Sequence, residues 1–427
     1  MGMPIRIGIA GLGTVGIGVV KILRECSDII EARLGKRVEV VAVTAKSKEK
    51  PRDENLDGYA WEENPLDLVN RNDIDIFVEL IGGTDGVAHE AVKLALSNGK
   101  HVVTANKAML AVHGKKLAEL AESNNVSLKL EAAVAGGIPV IKVITESLAG
   151  SNIKRVMGVI NGSCNYILTR MEKSGLSYET IFKEANDLGY LEADPQLDVG
   201  GIDAAHKIAI LSSLSFGTVV NLDGVTIQGI EKISIDDIKH AADMGYRIKL
   251  LATAQITELG LEQRVTPCLV PDLSPLGGLE GGTNMVVIET IGSDPIILQG
   301  PGAGRIPTAN AVVSDIIDII RGSKVKTFGR AASLLKDVHV SKGSTSTSYY
   351  IRLLVDDKPG TLAKVTAALG NEGISINRLR QYDHNATKAP VIIVTHETTS
   401  SSIEIALKKL SETGVISIEP VALRIEK

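Results

Sequence analysis

A chain of 427 residues is longer than one hydrophobic core supports, so two or three domains are expected. Its 44% hydrophobic and 23% charged residues, with a net charge of −5, describe a globular protein and argue against nucleic acid or an anionic membrane as partner. Cys26, Cys164 and Cys268 are scattered and form no CxxC pair, which excludes a disulfide framework or cysteine zinc site and fits a reducing cytoplasm.

The opening segment MGMPIRIGIAGLG carries no basic leader region, and no later apolar run reaches membrane-spanning length. Residues 5–10 predict a strand ending at Gly11, and residues 14–34 show helical spacing. Strands are predicted at 38–43, 74–80, 101–106 and 126–132, with helices at 86–98 and 108–123 between them. This alternation predicts an α/β, Rossmann-type parallel sheet covered on both faces. After about residue 135 the strands SNIKRVMGVI, VVIETIG and PIILQG flank grouped helices at 163–173, 178–188 and 202–215, an α+β pattern. The glycine turn and apolar helix of 301–323 could return to the first domain. KGSTSTS, 342–348, reads as a linker. Behind it, 349–427 runs strand, helix, strand, strand, helix, strand, the βαββαβ order of a ferredoxin-like module.

Gly11, Gly13 and Gly16 form GxGxxG directly after a strand and at the opening of a helix. The first glycine suits a tight turn, the second a close approach of pyrophosphate and the third close packing of helix on strand. The amides of Thr14 and Val15 would then face the phosphates. At the end of the second strand, VAVTAKSKEK offers no carboxylate for a ribose hydroxyl, and Lys46 and Lys48 follow. That pattern favours NADP over NAD, although an exposed lysine loop would read the same way.

The stretch GYLEADPQLDVGGIDAAHKIAIL, 189–211, places Asp203 and Lys207 four residues apart on one helix face. By itself that spacing is a surface ion pair. Three further stretches, TANKAML at 104–110, EAAVAGGIPVI at 131–141 and NGSCNYIL at 161–168, join it and the glycine turn in an order that resembles homoserine dehydrogenase. The resemblance covers roughly residues 5–325. DDKPGTLAKVTAAL at 356–369 resembles the ACT domain that many members of that family carry.

The resemblance implies interconversion of L-homoserine and L-aspartate 4-semialdehyde with NAD(P), on the route to threonine, methionine and isoleucine. It implies an NAD(P)-binding domain at 1–134, completed by a returning helix at 305–335. A catalytic and dimerisation domain at 135–304 and an ACT domain at 349–427 would follow. Lys207 is the expected proton donor and acceptor, with Asp203 orienting it or a substrate water; a lysine held neutral by burial or nearby positive charge suits both directions. Lys107 would lie near nicotinamide and substrate, so that both lysines face the reacting carbon. Gly83 and Thr104 end neighbouring strands and could line the cofactor; Gly189 and Gly304 match family glycines beside it. Glu192 matches the substrate-binding glutamate, Asp198 supports it, and Asp194 reads as a turn residue before proline.

Glu131 with the carbonyls of Val134, Gly136 and Ile138 matches a monovalent cation site of the sodium type, where the local pattern alone reads as a tight turn. Asp357, Gly360, Ile376 and Asn377 would form an effector site, with L-threonine as the effector expected of an end product, unless the module only dimerises. A homodimer or larger homo-oligomer is expected. Two rivals stay open: another semialdehyde dehydrogenase, which needs a nucleophilic cysteine and a histidine that sequence does not pair, and a cofactor- and amino-acid-binding regulator without turnover.

Overall fold

The parallel sheet is built around Ile5–Ala10, whose Ile7 and Ile9 are completely buried. The computed structural model describes residues 3–192, 194–382 and 387–426. The chain falls into two compact units: Met1–Ile160 with Ala205–Val225 and Thr283–Val338, and Asn161–Ala204 with Thr226–Gly282 and His339–Lys427.

In the first unit, six strands run in the order Ala60–Trp61, Val38–Thr44, Ile5–Ala10, Ile76–Glu79, His101–Thr104, Leu128–Lys129, and all their pairings are parallel. The central strand therefore has its sequence successors on opposite sides. A crevice opens at such a switch point, outside the carboxyl ends of the strands. The predicted helical stretch 14–34 is two helices, Thr14–Glu25 and Ser27–Leu34. Cys26 leaves helical geometry at φ −104°, ψ 15° and separates them. Helix Arg305–Ile320 packs on the first of these: Ala309, Val312 and Ile316 share a buried core with Ile17 and Val20. The same unit holds an antiparallel group of Ile153–Val159, Thr283–Thr290 and Ile296–Pro301.

The second unit carries helices Gly162–Ser174, Tyr178–Asp187 and Pro195–Val199, and a long hairpin of Tyr246–Thr257 and Gly260–Pro271. Its last 80 or so residues are Ser348–Asp356, Thr361–Asn371, Ile376–Gln381, Lys388–Thr395, Ser400–Glu412 and Val421–Ile425, in the predicted βαββαβ order. Val421–Ile425 also pairs in parallel with Gly260–Pro271, so this module's sheet continues into the hairpin. The stretch 342–348 is tied down at its centre, where Ser344 Oγ and Thr345 N donate to Glu262. Helix Ile202–Phe216, which begins in the second unit and from Ala205 belongs to the first, carries both Asp203 and Lys207, behind a left-handed Gly201 at φ 83°. Among the described residues no helix is long and apolar enough to cross a membrane.

Candidate active site

The glycine turn has the geometry its three positions require. Gly11 is left-handed at φ 102°, and a Cβ there would lie 2.3 Å from the Leu80 carbonyl. A Cβ on Gly16 would lie 2.0 Å from the Gly11 carbonyl, so helix and turn pack backbone to backbone. Gly13 faces open space instead, and it caps helix Thr14–Glu25 without any side-chain cap. The first-turn amides, those of Thr14 and Val15 included, thus receive no acceptor from the capping residue, the arrangement a phosphate-binding helix start presents.

Around this turn the structure adds a residue that no motif identified. Arg52 donates through Nε to the Leu12 carbonyl at 3.3 Å and through its terminal nitrogens to Ser47 at 2.7 Å, Lys50 at 2.9 Å and Lys48 at 3.2 Å. It fastens the exposed loop of Lys46 and Lys48 beside the glycine turn. Trp61 lies beneath, with Arg52 5.5 Å and Lys48 5.9 Å from the ring centre.

The neighbouring strand ends are organised by a second residue missed in sequence, Glu79, which is completely buried. It accepts from Thr104 Oγ1 at 2.5 Å and from the amides of Ile81 and Gly82 at 2.7 and 3.0 Å. Asn106 caps helix Lys107–Ser123 through the Met109 amide and donates to the Gly83 carbonyl at 2.8 Å. Gly83 and Lys107 are thereby held at the carboxyl edge of the sheet, while the Thr104 side chain is buried against Glu79. Gly304, at φ 121°, caps helix Arg305–Ile320 in the same unit.

Lys207 is half-buried, and its Nζ donates to the Ile160 carbonyl at 2.9 Å. Asp203 and Asp198 are 5% and 4% exposed, and both accept from Asn161 Nδ2, at 3.0 and 2.9 Å. Asn161 caps helix Gly162–Ser174 with its other side-chain atom, which accepts from Cys164 N at 2.8 Å. The second oxygen of Asp198 accepts from the Glu192 amide at 2.9 Å. Asp194 caps the short helix Pro195–Val199, as its place before proline predicts. Gly189 is left-handed at φ 74°, just past helix Tyr178–Asp187. An asparagine three residues ahead of a capped amide was visible in NGSCNYIL; its bond to two distant carboxylates was not.

In EAAVAGGIP, Ala135 and Gly136 are both left-handed, at φ 57° and 51°. The Glu131 carboxylate is 3% exposed and accepts from the amides of Ile141 and Lys142 at 3.0 and 2.9 Å. Burial, reinforced by nearby Asp315, pushes its pKa up to about 8. Desolvation without a full counter-charge is what disfavours the ionised form of this carboxyl. The Ile138 carbonyl also accepts from Val140 N at 2.8 Å.

In the C-terminal module Gly360 is left-handed at φ 87° and caps helix Thr361–Asn371, and Asp357 accepts from Gln381 at 3.3 Å. Ile376 begins an edge strand, and Asn377 lines a cleft of about 560 Å³ with Tyr246, Arg378, Thr395 and His396. Asp357 and Gly360 do not line that cleft.

Residues 11–131 match the family described as homoserine dehydrogenase, NAD binding domain; residues 139–317 match homoserine dehydrogenase; residues 349–414 match the ACT domain. A homoserine dehydrogenase of Neisseria gonorrhoeae is 41% identical over 99% of each chain. The crystal structure of a homoserine dehydrogenase from Thiobacillus denitrificans superposes with a TM-score of 0.92 at 37% identity, covering 99% of this chain and 98% of that one. A hyperthermophilic archaeal homoserine dehydrogenase in complex with NADPH gives 0.64 at 32% identity, covering 74% of this chain and 97% of that one.

Proposed function

The chain belongs to the homoserine dehydrogenase family, and on that premise we propose which of its residues bind and react. It is an NAD(P)-dependent oxidoreductase with a C-terminal ACT domain. The bound nicotinamide supplies the hydride exchange between L-homoserine and L-aspartate 4-semialdehyde.

Lys207 Nζ takes the hydroxyl proton during oxidation and returns it to the forming alkoxide in reduction. Asp203, one helical turn before it, is the orienting carboxylate. Glu192 binds the substrate ammonium, with Asp198 holding the backbone at that position. Lys107 adds a second positive charge for the substrate oxygen, while Gly83, Thr104, Gly189 and Gly304 shape the cofactor edge. The observation that supports the assignment most is the shared helix of Asp203 and Lys207, with each side chain separately held, by Asn161 and by the Ile160 carbonyl.

NADP is the preferred cofactor in this reading, supported by Lys46, Lys48 and Arg52 where an NAD enzyme would place an acid. Glu131 with the carbonyls of Val134, Gly136 and Ile138 holds a sodium-type cation. The ACT domain binds an amino-acid effector, L-threonine, and the enzyme serves the threonine, methionine and isoleucine route in the cytoplasm, where its three cysteines stay reduced. The domain boundaries are those read from sequence, 1–134 with 305–335, 135–304, the linker 342–348, and 349–427. The protein works as a homodimer or larger, supported by the edge strand Ile376–Gln381, which is bonded on one side only.

The test is nicotinamide absorbance with L-homoserine and either cofactor, in the wild type and in Lys207→Ala. Turnover is expected with the wild type and none with the variant, whose cofactor binding stays intact. Near-full rate in Lys207→Ala would remove its proton-transfer role.

A further inference from the structure

Away from the residues assigned above, the first unit brings two imidazoles and a carboxylate together. Asp85 lies in the loop between strand Ile76–Glu79 and helix Val87–Ser97, His89 lies in the first turn of that helix, and His113 lies on the second turn of helix Lys107–Ser123. The two rings stack with centroids 4.1 Å apart and planes 12° from parallel. His113 Nε2 is 2.8 Å from Asp85 Oδ1. One ligand atom from each of the three residues lies within 4.8 Å of the other two.

From this geometry we propose that Asp85, His89 and His113 form a binding site for a divalent transition-metal ion of the zinc class, with a coordination position left open to water. Two imidazole nitrogens and one carboxylate oxygen are the donor set of borderline ions such as Zn²⁺, Co²⁺ and Ni²⁺, whereas Mg²⁺ and Ca²⁺ take oxygen ligands. Metal–ligand bonds of about 2.0–2.1 Å at tetrahedral angles require ligand atoms about 3.3 Å apart, so on binding an ion the two imidazoles turn out of their stack and the Asp85 carboxylate swings with them. The Asp85 side chain, 74% exposed, is free to make that rotation, and it leaves the ion a path in from solvent.

The site has a structural consequence. The loop entering it is already fixed at Ile81 and Gly82 by Glu79 and at Gly83 by Asn106. An ion at Asp85 adds a third anchor and ties the loop to two helices, one of which begins at Lys107. Metal occupancy therefore stiffens the stretch that carries Gly83.

The experiment uses untagged full-length protein stripped with a chelator and titrated with Co²⁺, then with Zn²⁺. The expected result is one Co²⁺ per chain, with the visible bands of a low-coordinate site, displaced by Zn²⁺ and raising the melting temperature. His89→Ala and His113→Ala should lose the bands and weaken Zn²⁺ by at least about tenfold. Asp85→Asn, a surface change that leaves packing intact, should weaken it without altering the metal-free melting temperature. Absence of the bands in the wild type, or equal Co²⁺ affinity in the wild type and the three variants, would overturn the site.

Discussion

Asn161 grips Asp203: its side-chain nitrogen donates to Oδ2 across 3.0 Å, and the same nitrogen donates to Asp198 across 2.9 Å. All three residues are buried, so loss of this amide removes one hydrogen bond from each of two buried carboxylates. Hydrogen bonds to charged groups are worth about 1.5–3 kcal/mol, and without this one the Asp203 carboxylate loses the bond that orients its Oδ2. Asn161→Ala should therefore lower kcat by about 10–100-fold with little change in the KM for cofactor. Asn161→Asp, which adds a third acid, should be worse. A kcat within twofold of wild type in Asn161→Ala would show that the network does not position Asp203.

Cofactor preference is predicted to divide between Lys46 and Arg52. Lys46 is exposed and engages no partner that shapes the turn, so Lys46→Ala should raise the KM for NADP by about tenfold and leave NAD unchanged. Arg52 fastens both the loop and the glycine turn at Leu12, so Arg52→Ala should weaken NADP and NAD together. Equal effects of Lys46→Ala on the two cofactors would remove the 2′-phosphate assignment.

The parallel sheet and the ferredoxin-like module were legible because their strands and helices are short, apolar and punctuated by glycine. The hairpin Tyr246–Thr257 and Gly260–Pro271 was not. Its strands are buried continuously over Ile248–Ala254 and Leu261–Val270, Glu262, Gln263 and Arg264 included, so no alternation marks a face. Gly11, Gly13 and Gly16 were readable as a motif because their function depends on backbone spacing. Glu79, Arg52 and Asn161 each add to their local bonds one to Thr104, Leu12 or Asp203, 25 to 42 positions away, and spacing in one sequence carries no signal for such pairs.

Glu131 provides a test of the cation. Its carboxylate is held up near 8 by burial and by Asp315, so a bound monovalent ion would offset unfavourable charge. Sodium chloride should raise the melting temperature above that in tetramethylammonium chloride at equal ionic strength, by a few degrees, in line with mass-action stabilisation. Glu131→Gln should abolish the difference. Identical melting in both salts for the wild type would exclude a specific site.

Lys249 makes a prediction about pH. It is 1% exposed and donates to Asn165 Oδ1 at 3.1 Å and to the Leu279 carbonyl. Burial pushes its pKa down to about 8, from 10.5 in the free side chain. Below the folded value both states hold the proton; between the two values only the unfolded chain does, so stability rises with pH across that window. Relative to Lys249→Met, the unfolding free energy in urea should increase by about 3 kcal/mol between about pH 8 and pH 10.5. A flat difference would mean that Lys249 stays charged in the folded protein.

The ACT domain is continuous with the hairpin, and this decides how its effector can be tested. Val421–Ile425 pairs with Gly260–Pro271, and Arg264, buried, shares its charge between Glu262 and Glu426 at 2.8 and 2.6 Å. Ending the chain near residue 341 would remove Glu426, expose a strand edge and leave a buried guanidinium with half its partners, so a changed response in that fragment would not isolate an effector. Substitutions in the intact chain avoid this. Asn377 lines the cleft beside Arg378, and it is exposed enough for Asn377→Ala to leave folding unaffected. Millimolar L-threonine should lower the wild-type rate at subsaturating homoserine, and Asn377→Ala should shift the half-effective concentration upward by about tenfold. Asp357→Ala, outside the cleft, should shift it less. If L-threonine leaves the wild type unchanged in rate and in melting temperature, the module serves assembly alone, and the free edge at Ile376–Gln381 becomes its functional surface.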